Sequence, residues 1–197
     1  MTDETERREP SRIELHDLGR MRALANPARM QLLGLLRLDG PATVGVLAER
    51  LGEAPGSVSY HLQTLAKHGF VQEAPELARD RRERWWRAAH DYTSWNPLAF
   101  RDDPATRTGL DEFRRQVLDG YHRELLDALA AEPALDTDWV EASESADAAA
   151  HLTAPELAEL SAELAAVRDR WFRRGRERRD GTRAVRIITH TFVRSEP

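Results

Sequence analysis

The chain has 197 residues, 41% of them hydrophobic, a formal net charge of −5 and no cysteine, enough for one domain or two small ones built around a real core. The missing cysteine excludes disulfides, thiol redox switching and thiolate metal sites. No apolar run approaches bilayer length and the charged N-terminus lacks a signal-peptide pattern, so a cytoplasmic protein without a membrane partner is expected.

Residues 1–10 read as a polar, disordered tail. Ser11 and Glu14 form a capping-box pattern, which predicts that a first helix starts there and carries an apolar stripe through Leu15, Leu18 and Met21. Asn26 is a good N-cap with Pro27 at the first helical position, and Met30, Leu32, Leu33, Leu35 and Leu36 supply core bulk behind it.

From Val44 to Val71 the apolar positions follow two helical patterns that change phase once, at Gly52. Val44, Leu47, Ala48 and Leu51 make one stripe, and Val58, Leu62, Leu65 and Ala66 make the next. Thr43 can cap the first helix, Gly52 can take the left-handed conformation that ends it, and Pro55 suits the first turn of the second. With Val58, Leu62 and Leu65 turned inward, Ser57, Ser59, Tyr60, Gln63 and Thr64 fall on or near the opposite face. Hydroxyls and an amide there suit base edges and phosphates in a major groove. On this segment alone, a helical hairpin with a merely solvated polar face remains an equal reading.

Behind the second helix, Phe70 to Glu73 reads as a strand, Pro75 to Asp80 as a turn region, and Arg82 to Ala88 as a returning strand. The tip and return carry Arg79, Arg81, Arg82, Arg84 and Arg87 against Asp80 and Glu83. The hairpin is therefore locally cationic in a chain that is acidic overall, the acidity residing in residues 101–163, which hold sixteen acids and five arginines. Arginine forks in such a wing suit phosphate oxygens or a narrow minor groove.

These segments resemble the ArsR/SmtB-type winged helix-turn-helix transcriptional regulators. Three stretches in order carry the resemblance: LGRMRALANPARMQLLGLL (Leu18 to Leu36), VSYHLQTLAKHGFV (Val58 to Val71) and RRERWWRAA (Arg81 to Ala89). The resemblance implies that DNA is read through the start and outer face of the second helix, here Pro55, Gly56, Ser57, Ser59, Tyr60 and His61. Gln63 and Thr64 extend that face, Lys67 is placed for a phosphate, and Arg79, Arg81, Arg82 and Arg84 form the wing. Tyr60 stands where the family often has histidine, and Ala54 and Pro55 replace a common Ser-Gln pair, so the operator sequence does not transfer. The resemblance also implies a homodimer on a pseudo-palindromic operator in double-stranded DNA, with the first helix and the helix after the wing at the dimer interface.

His90 to Thr108, with Pro97 and Pro104, reads as a connector. Leu110 to Ala131 is predicted as a helix, with Phe113, Val117, Leu118, Tyr121, Leu125, Leu126 and Leu129 at helical spacing. Thr153, Pro155 and Glu156 make a second capping box ahead of Leu157, Leu160, Leu164, Val167 and Trp171, a strong amphipathic helix ending in an arginine run from Arg168 to Arg179. Arg183 to Val193 reads as a strand, with Asp138 to Glu144 as its expected partner. The expected fold class is mostly α with small β (α+β): a disordered tail 1–10, a winged helix-turn-helix domain 11–96 with recognition helix 55–68 and wing 72–88, and a C-terminal region 97–197. That region is expected to serve dimerisation or to bind a small-molecule effector.

Two other classes leave weaker traces. Asp119, His122 and Glu124 have metal-ligand chemistry after the wing, but the second histidine of a paired site is missing and Val44 to Ala48 offers no ligand, so no metal or cofactor is expected. No phosphate loop, nucleophile elbow or HExxH pattern is present, so catalysis is not expected. A winged helix used only for protein interaction, or a metal-responsive repressor, are the alternatives to a sequence-specific repressor.

Overall fold

The computed structural model describes residues 11–80, 83–175 and 178–194. The expected tail 1–10 and the wing positions Arg81 and Arg82 lie outside the described residues. One compact unit runs as far as His122 and a second begins at Arg123.

The first unit opens with a strand, β1 (Arg12–Leu15), where the Ser11 and Glu14 pattern predicts a helix. The burial alternates, with Ile13 and Leu15 inside and Arg12 and Glu14 outward, a period of two instead of 3.6. The reason lies 80 residues away, where the Asp91 carboxylate accepts hydrogen bonds from both the Ser11 N–H (2.7 Å) and the Ser11 hydroxyl (2.9 Å). Ser11 is thereby occupied as a clip, and β1 pairs in parallel with β5 (Tyr92–Trp95). The helix begins later, as α1 (Leu18–Leu24), and its true cap is Asp17, which accepts from the Arg20 N–H at 2.8 Å.

Helix α2 (Pro27–Leu38) starts as expected, with Asn26 accepting from the Arg29 N–H at 3.1 Å and Pro27 in the first turn. Arg29 turns back onto α1, donating to the Ala23 and Arg22 carbonyls. Burial in that position lowers its pKa from the ordinary guanidinium value. A short strand β2 (Ala42–Thr43) leads into α3 (Val44–Leu51), and α4 (Pro55–Lys67) follows. Behind them β3 (Val71–Glu73) and β4 (Trp85–Ala88) form an antiparallel pair, with β2 on the other side of β4.

Val58, Leu62, Leu65, Phe70 and Leu32 are fully buried and share one core with Leu47, Trp86, Leu110 and Phe113. Each such side chain contributes about 1.5–3 kcal/mol of transfer free energy. The segment 90–108 is more than a connector. It contains β5, a 3-10 turn Pro97–Phe100 that buries Phe100, and the start of α5 (Pro104–Ala131), earlier than predicted because Asp103 accepts from the Ala105 and Thr106 N–H groups. Trp95 meets Phe113 edge-on at 5.3 Å between ring centroids.

The second unit is helical, with α6 (Thr137–Glu141) and α7 (Ala154–Arg174). The capping box at Thr153 and Glu156 forms as expected. The strand expected over Arg183 to Val193 does not form among the described residues, and its expected partner around Trp139 is helix α6. A lone β-prone segment without a strand edge to pair with has no ladder to join. Instead side chains hold it: Arg186 pairs with Glu124 at 3.0 Å, and Arg183 lies 3.4 Å from Asp136 and over the Trp139 ring. The C-terminal region is thus helical with an irregular last segment, not a small α+β appendage, while the whole chain remains mostly α with small sheets in its first unit.

Candidate nucleic-acid interface

Three local devices set the corner between α3 and α4. Thr43 caps α3 by accepting from the Val46 N–H. Gly52 ends it at φ 67°, with its own N–H on the Glu49 carbonyl (3.3 Å) and the Glu53 N–H reaching back to the Ala48 carbonyl (3.1 Å). That pair of bonds is the Schellman closure, which needs a residue at ease in the left-handed region. Substituting Gly52→Ala is expected to cost about 1 kcal/mol through the Cβ strain at positive φ, read as a lower urea midpoint at unchanged slope. Pro55 then opens α4, preceded by Ala54, which offers no side-chain cap. The first-turn N–H groups of α4 consequently have no side-chain acceptor at their N-cap.

The helix divides as its apolar spacing predicts. Val58, Leu62 and Leu65 are buried, while Pro55, Gly56, Tyr60, Gln63 and Lys67 are exposed; Tyr60, 64% exposed, is the largest side chain on that face. Ser57, Ser59, His61 and Thr64 are half-buried, and several are already engaged. The Ser57 hydroxyl donates to Glu53 Oε2 at 2.7 Å, the Thr64 hydroxyl donates to the Tyr60 carbonyl at 3.0 Å, and the Gln63 amide donates to Ser59 Oγ at 3.4 Å. His61 Nε2 lies 3.9 Å from the same Glu53 carboxylate, and its Nδ1 is buried with no hydrogen-bond partner. Glu53 is the residue that sequence reasoning missed. It stands four and eight residues before Ser57 and His61 but belongs to the corner ahead of the helix, so a reading of the helix alone passes it over.

In the hairpin, Arg79 and Arg84 are exposed. Arg84 pairs with Glu73 at 2.7 Å and Arg87 with Glu76 at 2.5 Å, so the acids that neutralise the wing include two from its first half. Glu83, expected as a neutralising acid, works on the backbone: its carboxylate accepts the Arg79 N–H at 2.9 Å. That bond is the main cause that holds its carboxyl below the usual carboxylate range. The tip is closed by the Glu83 N–H donating to Asp80 Oδ1 at 3.1 Å. The structure thus places the described candidates on two elements of one unit, the outer face of α4 and the β3–β4 hairpin.

Elsewhere in that unit, a concavity of about 320 Å³ lies between α1, α2 and α5, with Met21, Arg22, Pro27, Phe113 and Gln116 among its lining residues. Among the described residues there is no group of three side chains that could hold a metal ion, and no helix is long and apolar enough to cross a membrane.

Residues 24–73 match the family model described as a helix-turn-helix domain. Reduced HlyU from Vibrio cholerae N16961 is 22% identical over 48% of this chain and 80% of that chain, at a TM-score of 0.30. The homodimeric winged helix-turn-helix DNA-binding domain (fragment 1-100) of Mb0332 from Mycobacterium bovis, a possible ArsR-family transcriptional regulator, is 24% identical over 57% of this chain and 81% of that chain, at 0.32. A possible transcriptional regulator for arsenical resistance is 27% identical over 57% of this chain and 94% of that chain, at 0.31. No curated protein gives a significant match. Residues 24–73 thus carry a helix-turn-helix match, and with the β3–β4 hairpin set behind the second helix the module has the form of a winged helix-turn-helix.

Proposed function

We propose that the protein is a cytoplasmic, sequence-specific transcriptional repressor that binds a pseudo-palindromic operator as a homodimer. In this reading α4 enters the major groove and the wing lies on the backbone or in the minor groove. The observation that carries it is the exposed outer face of α4, with Tyr60, Gln63 and Lys67, in the same unit as an arginine hairpin and with first-turn N–H groups left without a side-chain cap. Uncapped N–H groups at a helix start suit a phosphate, and the side chains beyond them suit base edges. The ion pairs of Arg84 and Arg87 are exposed and weak enough to be exchanged for phosphate oxygens. A dimer seated on its operator blocks polymerase by occupancy alone, which favours repression. Residues 97–197 would serve dimerisation or effector binding, and the concavity between α1, α2 and α5 has room for a small non-metal ligand.

The test is a salt titration on DNA from upstream of the protein's own coding sequence. Binding is expected to weaken steeply as salt rises, and Arg79→Ala or Arg84→Ala to weaken it on every sequence while flattening the log–log slope by about 0.9 per lost phosphate contact. An absence of binding at low salt would overturn the reading.

A further inference from the structure

Helix α7 carries an apolar seam that its own chain leaves partly uncovered. Leu157, Leu160, Leu164, Val167 and Trp171 repeat at alternating three- and four-residue steps, the spacing of a two-helix coiled-coil seam. Leu160, Val167 and Trp171 are 38%, 45% and 48% exposed, while Leu157 and Leu164 are half-buried. The chain's last segment meets one flank, where the Ser161 and Thr191 hydroxyls lie 2.8 Å apart. The opposite flank carries Glu156, Glu163 and Arg170 at seven-residue steps, with Arg174 in the last turn over the Trp171 ring at 4.9 Å, and neither Glu163 nor Arg170 makes an ion pair among the described residues.

Charge is divided along the helix. Its acids Glu156, Glu159 and Glu163 lie in the first half, and its bases Arg168, Arg170, Arg173 and Arg174 in the second, where Asp169 is already paired with its neighbour Arg168. Parallel pairing of two copies would set acids against acids and arginines against arginines. Antiparallel pairing sets each acidic half against an arginine half. We propose that α7 is a self-docking surface whose occupant is α7 of a second copy of this chain, packed antiparallel. With Leu164 seated against the partner's Val167 and Leu160 against the partner's Trp171, Glu163 faces the partner's Arg170, and the two-fold axis repeats each contact. The seam supplies burial, and the charge division selects direction and register. The surface is independent of the DNA-contacting face and would operate whichever other contacts join the protomers.

The absence of native cysteine makes the test direct. Two full-length variants, Leu164→Cys and Val167→Cys, are oxidised mildly without DNA, each alone and mixed, after far-UV circular dichroism has shown unchanged helix content. The mixture is expected to give several-fold more disulfide-linked dimer than either variant alone. Equal or greater yield from one variant alone, or no cross-link in the mixture, overturns the proposal. Adding Glu163→Arg to both variants should lower the mixed yield at limiting protein by about tenfold, as two attractive pairs become repulsive. Adding Arg170→Glu as well should restore it, whereas a loss that the second reversal does not repair counts against the interface. Because DNA is absent, this outcome and that of the salt titration are read separately.

Discussion

Leu62→Ala is expected to destabilise the first unit by about 2–5 kcal/mol, which for a domain of ordinary marginal stability is a large share of the total. Leu62 is fully buried on the inner face of α4, in one cluster with Val58, Leu65, Leu32 and Phe70. Truncation removes transfer free energy and also leaves a cavity, because α4 is tied at both ends and cannot collapse inward. The Schellman closure at Gly52 holds its start, and Gly69, at φ 78°, and the Phe70 N–H on the Leu65 carbonyl hold its end. Urea denaturation followed by circular dichroism should show a lower midpoint. A shift below about 0.5 kcal/mol, the range of ordinary surface substitutions, would mean that this face is not the core face.

Tyr60→Ala, on the opposite side of the same helix, should have the converse profile. The ring is exposed and lies 5.6 Å from the His61 ring between centroids, so stability should change by no more than about 0.5 kcal/mol. Affinity for a preferred operator should fall by about tenfold or more, since a base-edge contact discriminates by about 1–3 kcal/mol, while affinity for unrelated DNA should barely move. Competition binding with specific and random duplexes checks this. An equal loss on both duplexes would reassign Tyr60 to the backbone. Tyr60 is the sharper choice than Ser57, whose hydroxyl is already committed to Glu53.

The candidate interface was legible wherever it depends on neighbours in the chain. Inward and outward positions of α4 follow from apolar spacing alone, and the structure keeps Val58, Leu62 and Leu65 inside and Tyr60, Gln63 and Lys67 outside. What spacing could not convey is which polar groups remain available. The Arg84 and Arg87 guanidinium groups bond acids eleven residues away that become neighbours only after the hairpin has formed, and the Ser57 hydroxyl is taken by Glu53 of the corner.

The local devices could be read directly from neighbouring residues: Asn26, Thr43 and Gly52 at helix ends, Pro27 and Pro55 in first turns, the capping box at Thr153, and the phase change that makes two helices from one apolar run. Each rests on contacts within a few residues, so its physics is complete in the local chain. Long-range contact decided that Ser11 leads into a strand, because Asp91 competes for its N–H and hydroxyl from 80 residues away. It likewise decided that Tyr92–Trp95 is a strand and that residues 183–193 are not, since a strand exists only where another chain segment completes its ladder, and that partner cannot be read from its own residues.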